Sequence, residues 1–207
     1  MSKLVLNLAI DVSGQPSGDV YVGLVSIKTD DINKIMKLFK NAFPDIYRGR
    51  KKGARLDGNE LKKVIKFLND NKVFMFCNYI SSKEWFDLKN KYKNKANLFE
   101  RVYALLYFGL IHQVVFKYQP QNLVVDKENY LDINKTLNYF QYLAKSNDYT
   151  IITSVGYSSS TSLIKLADLI ASASRKIDKK TLMSFNKYHF LKFKDLNYKF
   201  INRIFEK

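Results

Sequence analysis

The feature that most constrains the fold of this chain is an apolar run near its start. The run extends from Leu4 to Ile10 with one polar interruption, Asn7, and it ends at Asp11. A short and nearly continuous apolar run is typical of a β-strand that is buried on both faces. A carboxylate at the end of such a strand is costly unless it is hydrogen-bonded, paired or bound to a metal. Asp11 is therefore either the cap of a turn at Ser13-Gly14 or a ligand, and this segment alone leaves both open.

The segments that follow predict a layered α/β domain. Val20–Ile27 reads as a second strand, and the Gly- and Pro-containing connection before it favours an antiparallel hairpin. Strands alternate with amphipathic helical segments after this hairpin, which predicts a mixed sheet flanked by helices. Further strands are expected at 73–80, 123–126 and 149–155, and helices at 29–42, 60–69, 97–117, 131–145 and 162–176.

Length and composition predict one domain inside the cell. The 207 residues are 46% hydrophobic, which is enough for one substantial core. The single cysteine, Cys77, cannot form an intrachain disulfide, so we expect an intracellular, cytoplasmic protein. Asp11 interrupts the N-terminal apolar run too early for a signal peptide. The apolar stretch 102–116 is too short to span a bilayer, so we expect a soluble protein with no membrane partner.

The net charge of the chain points to a polyanionic partner. Thirty-five Lys and Arg against 19 Asp and Glu give +16, and nucleic acid, DNA or RNA, is the leading candidate. The window 48–55 carries five cations, two glycines and no acid, and it is expected to contact phosphates unless it is only a solvated loop. The expected nucleic-acid contacts are Arg48, Arg50, Lys51, Lys52, Arg55 and Lys62. The segment 177–207 is also basic and aromatic, and we expect it to be helical and packed on the same domain.

Four acids lie where a catalytic site could form. Asp11 and Asp126 each end an apolar strand, so both emerge at one sheet edge if these strands are adjacent and parallel. Glu60 lies in the first turn of a predicted helix. Asp168 lies within an otherwise apolar helical stretch, where a charge is unusual.

Each of these acids also has an ordinary structural interpretation. Asp57 and Glu60 have the spacing of a helix-capping box. Asp126 could be a turn residue at the end of its strand. Asp168 could lie on a solvated stripe of its helix together with Lys165. The functional interpretation depends on the order of all four acids along the chain.

In that order the four acids resemble the ribonuclease H-like superfamily, and more closely the group catalogued as domain of unknown function 3800. The resemblance spans roughly residues 4–176, and we take residues 1–176 as the ribonuclease H-like domain, with 177–207 as its C-terminal segment. Val12 stands where that group usually has Glu. The matching pieces are Asp11-Val12-Ser13-Gly14, Glu60-Leu61-Lys62, Val124-Val125-Asp126 and Leu166-Ala167-Asp168-Leu169.

Carboxylates without a set of His or Cys ligands favour hard cations, so the expected cofactor is Mg²⁺ or Mn²⁺. His112 and His189 do not form a zinc pattern. The resemblance implies two ions bridged by Asp11, with Glu60 and Asp126 completing one metal shell and Asp168 the other. It also implies that these four acids are the catalytic residues.

The leading hypothesis is therefore a metal-dependent nuclease that hydrolyses phosphodiester bonds by a two-metal mechanism. The alternative is a nucleic-acid-binding protein that keeps the ribonuclease H-like fold without catalysis, as the Val12 departure would allow. A third interpretation is a protein whose basic surface binds an acidic protein partner.

Overall fold

The centre of the molecule is a mixed β-sheet. In this computed structural model, residues 5–14, 18–115, 119–127, 130–157, 161–193 and 198–206 are described. The strands are β1 (Val5–Ser13), β2 (Val20–Lys28), β3 (Phe74–Ile80), β4 (Gln119–Asp126), β5 (Ile152–Gly156) and β6 (Tyr188–Lys192). These described strands form a six-stranded sheet in the order β5-β4-β1-β2-β3-β6. Strand β2 is antiparallel to β1 and β3, whereas β4, β5 and β6 are parallel to β1, β4 and β3, respectively.

Helices cover both faces of this sheet. Two short 3-10 turns, at Thr29–Asp31 and Gly53–Arg55, precede α1 and α3. The α-helices are α1 (Ile32–Ala42), α2 (Pro44–Tyr47), α3 (Gly58–Asp70), α4 (Ser82–Lys91), α5 (Leu98–Val115), α6 (Ile133–Lys145), α7 (Ser162–Lys176), α8 (Lys179–Met183) and α9 (Tyr198–Glu206).

The alternation of side chains along the strands divides the core into two layers. In β1, Leu8 and Ile10 pack in the layer that contains α5, α6 and α9, which we call the α5 face. Ala9 packs in the layer of α1, α3 and α7, which we call the α7 face. This is the expected consequence of successive side chains in a strand pointing to opposite faces of the sheet. Asp11 follows Ala9 by two residues and therefore belongs to the α7 face.

Helix α5 is the most deeply buried helix segment on the α5 face. Its side chains from Val102 to Ile111 are all buried, which explains why this stretch is almost purely apolar in sequence. Arg101, near the start of the helix, is charged and yet also buried, with 6% of its surface exposed. The Arg101 Nε donates to the Ala96 carbonyl at 3.0 Å, Nη1 donates to the Ile204 carbonyl, and the guanidinium lies 4.4 Å from the Tyr139 ring centroid. Arg101 thereby connects α5 to both α6 and α9.

The structure confirms the predicted mixed α/β architecture. The β1–β2 hairpin is present, and β4 lies beside β1 in parallel orientation. Strand β1 continues to Ser13, two residues beyond the end predicted from Asp11. The C-terminal segment differs from the expectation of a helical segment, because Tyr188–Lys192 forms strand β6 between α8 and α9. The backbone of β6 pairs with the edge of β3 that lies opposite β2, and a local sequence pattern cannot reveal such a pairing.

Within the described part of the chain, no helix is both long enough and apolar enough to cross a lipid bilayer.

Candidate active site

Asp11 and Asp126 occupy equivalent positions on adjacent parallel strands. Ile10 pairs with Val125, and each aspartate is the next residue along its strand. Adjacent strands are about 4.8 Å apart, and residues at matching positions of parallel strands point to the same face. The Asp11 side chain is 6% exposed, and its Oδ1 accepts from the backbone N–H of Val12 at 2.6 Å. The predicted meeting of the two strand-end aspartates at one edge of the sheet is therefore supported by the strand register.

Helix α7 crosses the sheet directly beside Asp11. The β2 partner of Asp11 is Gly23. A Cβ atom at Gly23 would lie 2.5 Å from both the Ala167 carbonyl oxygen and the Ala171 amide nitrogen. Only glycine therefore allows the helix backbone to approach β2 this closely. Asp168, the residue after Ala167, lies in the turn of α7 that contacts Gly23.

Asp168 is mostly buried and is held from two sides. Its Oδ2 accepts from the backbone N–H of Gly53 at 2.9 Å, and its Oδ1 accepts from the Ser172 hydroxyl at 3.3 Å. Burial raises the pKa of the Asp168 carboxyl, and these two hydrogen bonds oppose that rise only in part. Asp168 is thus not on a solvated stripe of its helix, and that structural alternative is wrong. Gly53 is tightly packed, since a Cβ there would lie 2.5 Å from the Ser172 Oγ.

Glu60 performs the structural role that its spacing allowed. The Asp57 side chain accepts from the Glu60 N–H at 2.8 Å, and Glu60 Oε2 accepts from the Asp57 N–H at 3.2 Å, which completes a capping box on α3. Glu60 Oε1 also pairs with Lys51 Nζ at 2.7 Å. This hydrogen bond from Lys51 is the main reason why the pKa of Glu60 is lowered. A metal-ligand role for Glu60 remains a prediction, and it would require the exchange of Lys51 for a metal ion.

The cationic window 48–55 forms one wall of a cavity of about 240 Å³ beside Asp168. Arg48, Lys51 and Lys52 line this cavity, as does Lys165 of α7. The remaining predicted phosphate contacts lie outside its lining. Arg50 pairs at 3.4 Å with Asp45, and Arg55 and Lys62 are exposed to solvent.

Two lysines of α7 hold the backbone at the two ends of this window, a role that no local sequence pattern indicated. Lys176 Nζ donates to the carbonyls of Ala54 at 2.8 Å and Leu56 at 2.7 Å. Lys165 Nζ donates to the Tyr47 carbonyl at 3.0 Å. Charges on an amphipathic helix are usually solvated, and only the tertiary contact distinguishes these two from ordinary surface lysines.

The carboxylates do not form a single compact cluster in the described ranges. Within them, no group of three or more His, Cys, Asp and Glu side chains lies close enough to hold a metal ion. The donor chemistry of the Asp11–Asp126 pair nevertheless fits Mg²⁺ or Mn²⁺, since these ions prefer carboxylate oxygens. Asp168 fits the same chemistry, because each carboxylate oxygen can accept more than the one hydrogen bond it receives here.

Solved structures that resemble this chain are ribonucleases H. The ribonuclease H2 from Pyrococcus horikoshii OT3 superposes with a TM-score of 0.58 at 14% identity, covering 87% of this chain and 78% of that protein. The ribonuclease HII from Archaeoglobus fulgidus, solved in a complex with PCNA, superposes with a TM-score of 0.55 at 12% identity and covers 89% and 77%. A Q54A mutant of Bst-RNase HIII gives 0.55 at 17% identity and covers 88% of this chain but only 54% of that protein. The same enzyme in complex with Mn²⁺ gives 0.52 at 15% identity.

These superpositions and the strand order define a ribonuclease H-like fold for this chain, as the sequence predicted. At identities of 12–17% they define the fold alone. No family model matches the chain, so the closer resemblance to domain of unknown function 3800 is not confirmed. No curated protein matches it either.

Proposed function

We propose that this protein is a metal-dependent nuclease that hydrolyses phosphodiester bonds of nucleic acid. The observation that carries the proposal is the register of β1 and β4, which aligns Asp11 with Asp126 at one edge of a ribonuclease H-like sheet. Ligand sites of α/β sheets lie at the carboxyl ends of the strands. Asp168 lies on the helix that crosses beside this edge.

Asp11 and Asp126 would hold Mg²⁺ or Mn²⁺, with Asp168 and, after release from Lys51, Glu60 contributing to a site for two ions. A similar structure of Bst-RNase HIII was solved with Mn²⁺, which supports this choice of cation. When bound, such ions activate a water and stabilise the leaving oxygen. The chain itself binds the substrate, orients it and screens its charge.

The cations around the cavity would bind the phosphates of the substrate. Arg48, Lys51, Lys52 and Lys165 all line the cavity beside Asp168. Side chains of this kind neutralise phosphates and release counterions, so binding should weaken steeply as salt increases. The net charge of +16 adds attraction over longer distances.

The direct test is cleavage of single-stranded, duplex, hybrid and branched substrates in Mg²⁺ or Mn²⁺, with EDTA as the blank. We expect metal-dependent cleavage that Asp11→Asn and Asp126→Asn each abolish. The matched control is Asp70→Asn, because Asp70 is an exposed aspartate paired with Lys66 on α3. Mn²⁺ binding by calorimetry should weaken in Asp11→Asn and not in Asp70→Asn. Cleavage that Asp11→Asn leaves unchanged, or no cleavage of any substrate, would overturn the proposal.

A second candidate is a nucleic-acid-binding protein without catalysis. The observation that favours it is the engagement of Glu60 by Lys51 and by the α3 capping box. This candidate predicts salt-sensitive binding that weakens in a combined Arg48→Ala, Lys52→Ala variant, without metal-dependent turnover on any substrate. Failure to bind nucleic acid at low salt would instead favour an acidic protein as the partner of the basic surface.

A further inference from the structure

A second row of side chains crosses the α7 face of the sheet immediately beyond the level of Asp11. Ser13 pairs with Tyr21, Tyr21 with Tyr79, and Tyr79 with Lys192, so these residues form one register row across β1, β2, β3 and β6. The row below it contains Asp11, Gly23, Cys77 and Phe190. Because side chains alternate along strands, both rows lie on the same face. Two residues of a strand span about 7 Å, so the Tyr21 row lies close to the proposed cleavage site.

Three aromatic rings of these rows form a continuous surface. The rings of Tyr21 and Tyr79 lie 4.7 Å apart at 31°, and the Phe190 ring lies 6.2 Å from Tyr79. All three side chains are partly exposed. Tyr21 and Phe190 rest on the core beneath α7, which fixes the orientation of their rings. We call these three residues the aromatic row, although Tyr21 and Tyr79 belong to the register row of Ser13 and Phe190 to the row of Asp11.

The surroundings of the aromatic row are cationic where they are exposed. Lys179 Nζ lies 5.0 Å from the Phe190 ring centroid, and Lys192 pairs with Tyr79 in the register of β3 and β6. Burial and the Asp19 carboxylate raise the pKa of Tyr21, and the charge of Arg175 opposes that rise in small part. The acids nearby already have partners. Asp19 accepts from the Tyr79 hydroxyl at 3.3 Å and from the Ser82 N–H at 2.8 Å.

Glu84 is a second acid whose charge acts on Tyr79. It accepts from the backbone N–H and the hydroxyl of Ser81, both at 2.8 Å, as part of the α4 cap. Burial and the Asp19 carboxylate raise the pKa of Tyr79 to about 12, so its phenol stays neutral at neutral pH. The row therefore presents neutral rings beside cationic side chains.

We propose that the aromatic row is a stacking platform for unpaired bases of a nucleic-acid strand whose backbone passes Lys179, Arg175 and Lys192. Partly exposed rings next to cations have the chemistry that binds single strands, because every base has a face that can stack. The proposal deepens the proposed nuclease function by naming its substrate class: nucleic acid with unpaired nucleotides next to the bond that is cleaved. Base stacking itself requires no metal and no catalysis.

The test compares two probes by fluorescence anisotropy in EDTA, where no cleavage can occur. One is a short single-stranded oligonucleotide, and the other is an abasic strand of the same length, which keeps the phosphates and lacks the bases. We expect the Tyr21→Leu, Tyr79→Leu double variant to bind the base-containing strand about tenfold more weakly, as for the loss of one stacked base. Its affinity for the abasic strand should not change.

Two variants control this comparison. Tyr21→Phe keeps the ring and should bind like the wild type. Phe86→Leu removes an aromatic ring that is 63% exposed on α4, outside the row, and it should have no effect. Equal weakening of both probes, or of neither, would overturn the platform.

A measurement on the unmodified protein covers the case in which the double variant does not fold. Photo-crosslinking of a strand that contains 5-iodouracil, followed by peptide mapping, should label Tyr21, Tyr79 or Phe190. Labels confined to other residues would overturn the platform. Crosslinks at the row without metal-dependent cleavage would retain the platform and reject the nuclease. Cleavage without such crosslinks would retain the nuclease and reject the platform.

Discussion

The two helix layers contact the sheet in different ways. On the α5 face, large side chains such as Tyr103, Tyr107 and Phe108 fill the space between helix and strands, and all three are fully buried. On the α7 face, Gly23 and Gly53 leave no side chain between backbones, and α7 lies directly on β2 and on the 3-10 turn at Gly53–Arg55. The first layer gains its stability from apolar volume. The second fixes the partly buried Asp168 carboxylate through hydrogen bonds from the Gly53 N–H and the Ser172 hydroxyl.

This comparison indicates that the two faces have different tolerances. A layer made of large side chains should lose stability in proportion to the volume removed. The contact between α7 and β2 at Gly23, where backbone meets backbone, should be sensitive to added volume instead. The expected effects, from the largest to the smallest, therefore concern a truncation on one face, an enlargement on the other, and a buried titratable group on each.

Phe108→Ala tests the α5 face and should have the largest effect. The ring is fully buried and lies 5.0 Å from the ring of Phe200 on α9. Its removal should cost about 3–5 kcal/mol of unfolding free energy, because the cavity left behind collapses only in part. Urea denaturation measures this loss. Phe86→Ala, at an exposed position on α4, should change it little, and a similar loss in both variants would contradict the division into two faces.

Gly23→Ala tests the α7 face in the opposite direction. The added methyl group would meet two backbone atoms of α7 at 2.5 Å, so the helix must move. We expect a cost of about 2–3 kcal/mol, together with loss of any metal-dependent cleavage, because Asp168 moves with the helix. Gly58→Ala is the control, since its nearest neighbour would lie at 3.7 Å, an ordinary contact. Full activity in Gly23→Ala would show that the spacing between α7 and β2 is not critical.

Asp168→Asn should stabilise the metal-free protein at neutral pH. Burial raises the pKa of Asp168 above its ordinary value of 3.8, so the folded state holds the proton more tightly than the unfolded state. The stability that this group contributes is complete below 3.8 and is lost as the pH rises through the folded value. The side-chain amide introduced by this substitution carries no charge and avoids that loss, and its oxygen can still accept from the Gly53 N–H.

Thermal unfolding at about pH 4 and about pH 8 checks this sign, and the advantage of Asp168→Asn should be larger at the higher pH. Asp70→Asn is the control. The hydrogen bond from Lys66 lowers the pKa of Asp70, so that variant should gain nothing as the pH rises. If the midpoint of Asp168→Asn exceeds that of the wild type by more at about pH 4 than at about pH 8, the interpretation is reversed.

The sequence was sufficient for those parts of the structure that depend on local patterns. The hairpin follows from two apolar runs and the turn residues between them. The ends of the β1 and β4 runs predicted a shared edge for Asp11 and Asp126 on the condition that the two strands are adjacent and parallel, and the structure meets that condition. The capping box of Asp57 and Glu60 follows from a spacing of three residues.

The missed parts depend on contacts between distant residues. The hydrogen bond from Gly53 to Asp168 joins residues 115 positions apart. In the sequence Gly53 indicated a loop, whereas in the structure it is a close-packing position against Ser172. Strand β6 was predicted as helix because its pairing partner, β3, lies far away in the chain. Non-local contacts of this kind override local propensity.

His112 gives the α5 face the opposite pH dependence to that of Asp168, with a smaller expected effect. Burial lowers the pKa of His112 from its ordinary value of 6.5, so the unfolded state binds the proton more tightly than the folded state. The stability that His112 contributes is present above pH 6.5 and is lost as the pH falls through the lowered folded value. His112→Gln should therefore lose less stability than the wild type between about pH 8 and about pH 5.

The hydroxyl of Tyr149 lies 3.0 Å from His112 Nδ1, so Tyr149→Phe separates the effect of this contact on the pKa of His112 from the effect of burial. Because burial is the cause of the shift, Tyr149→Phe should keep the wild-type pH dependence. If Tyr149→Phe removes it instead, the hydrogen bond and not the dry packing of the α5 face controls this histidine.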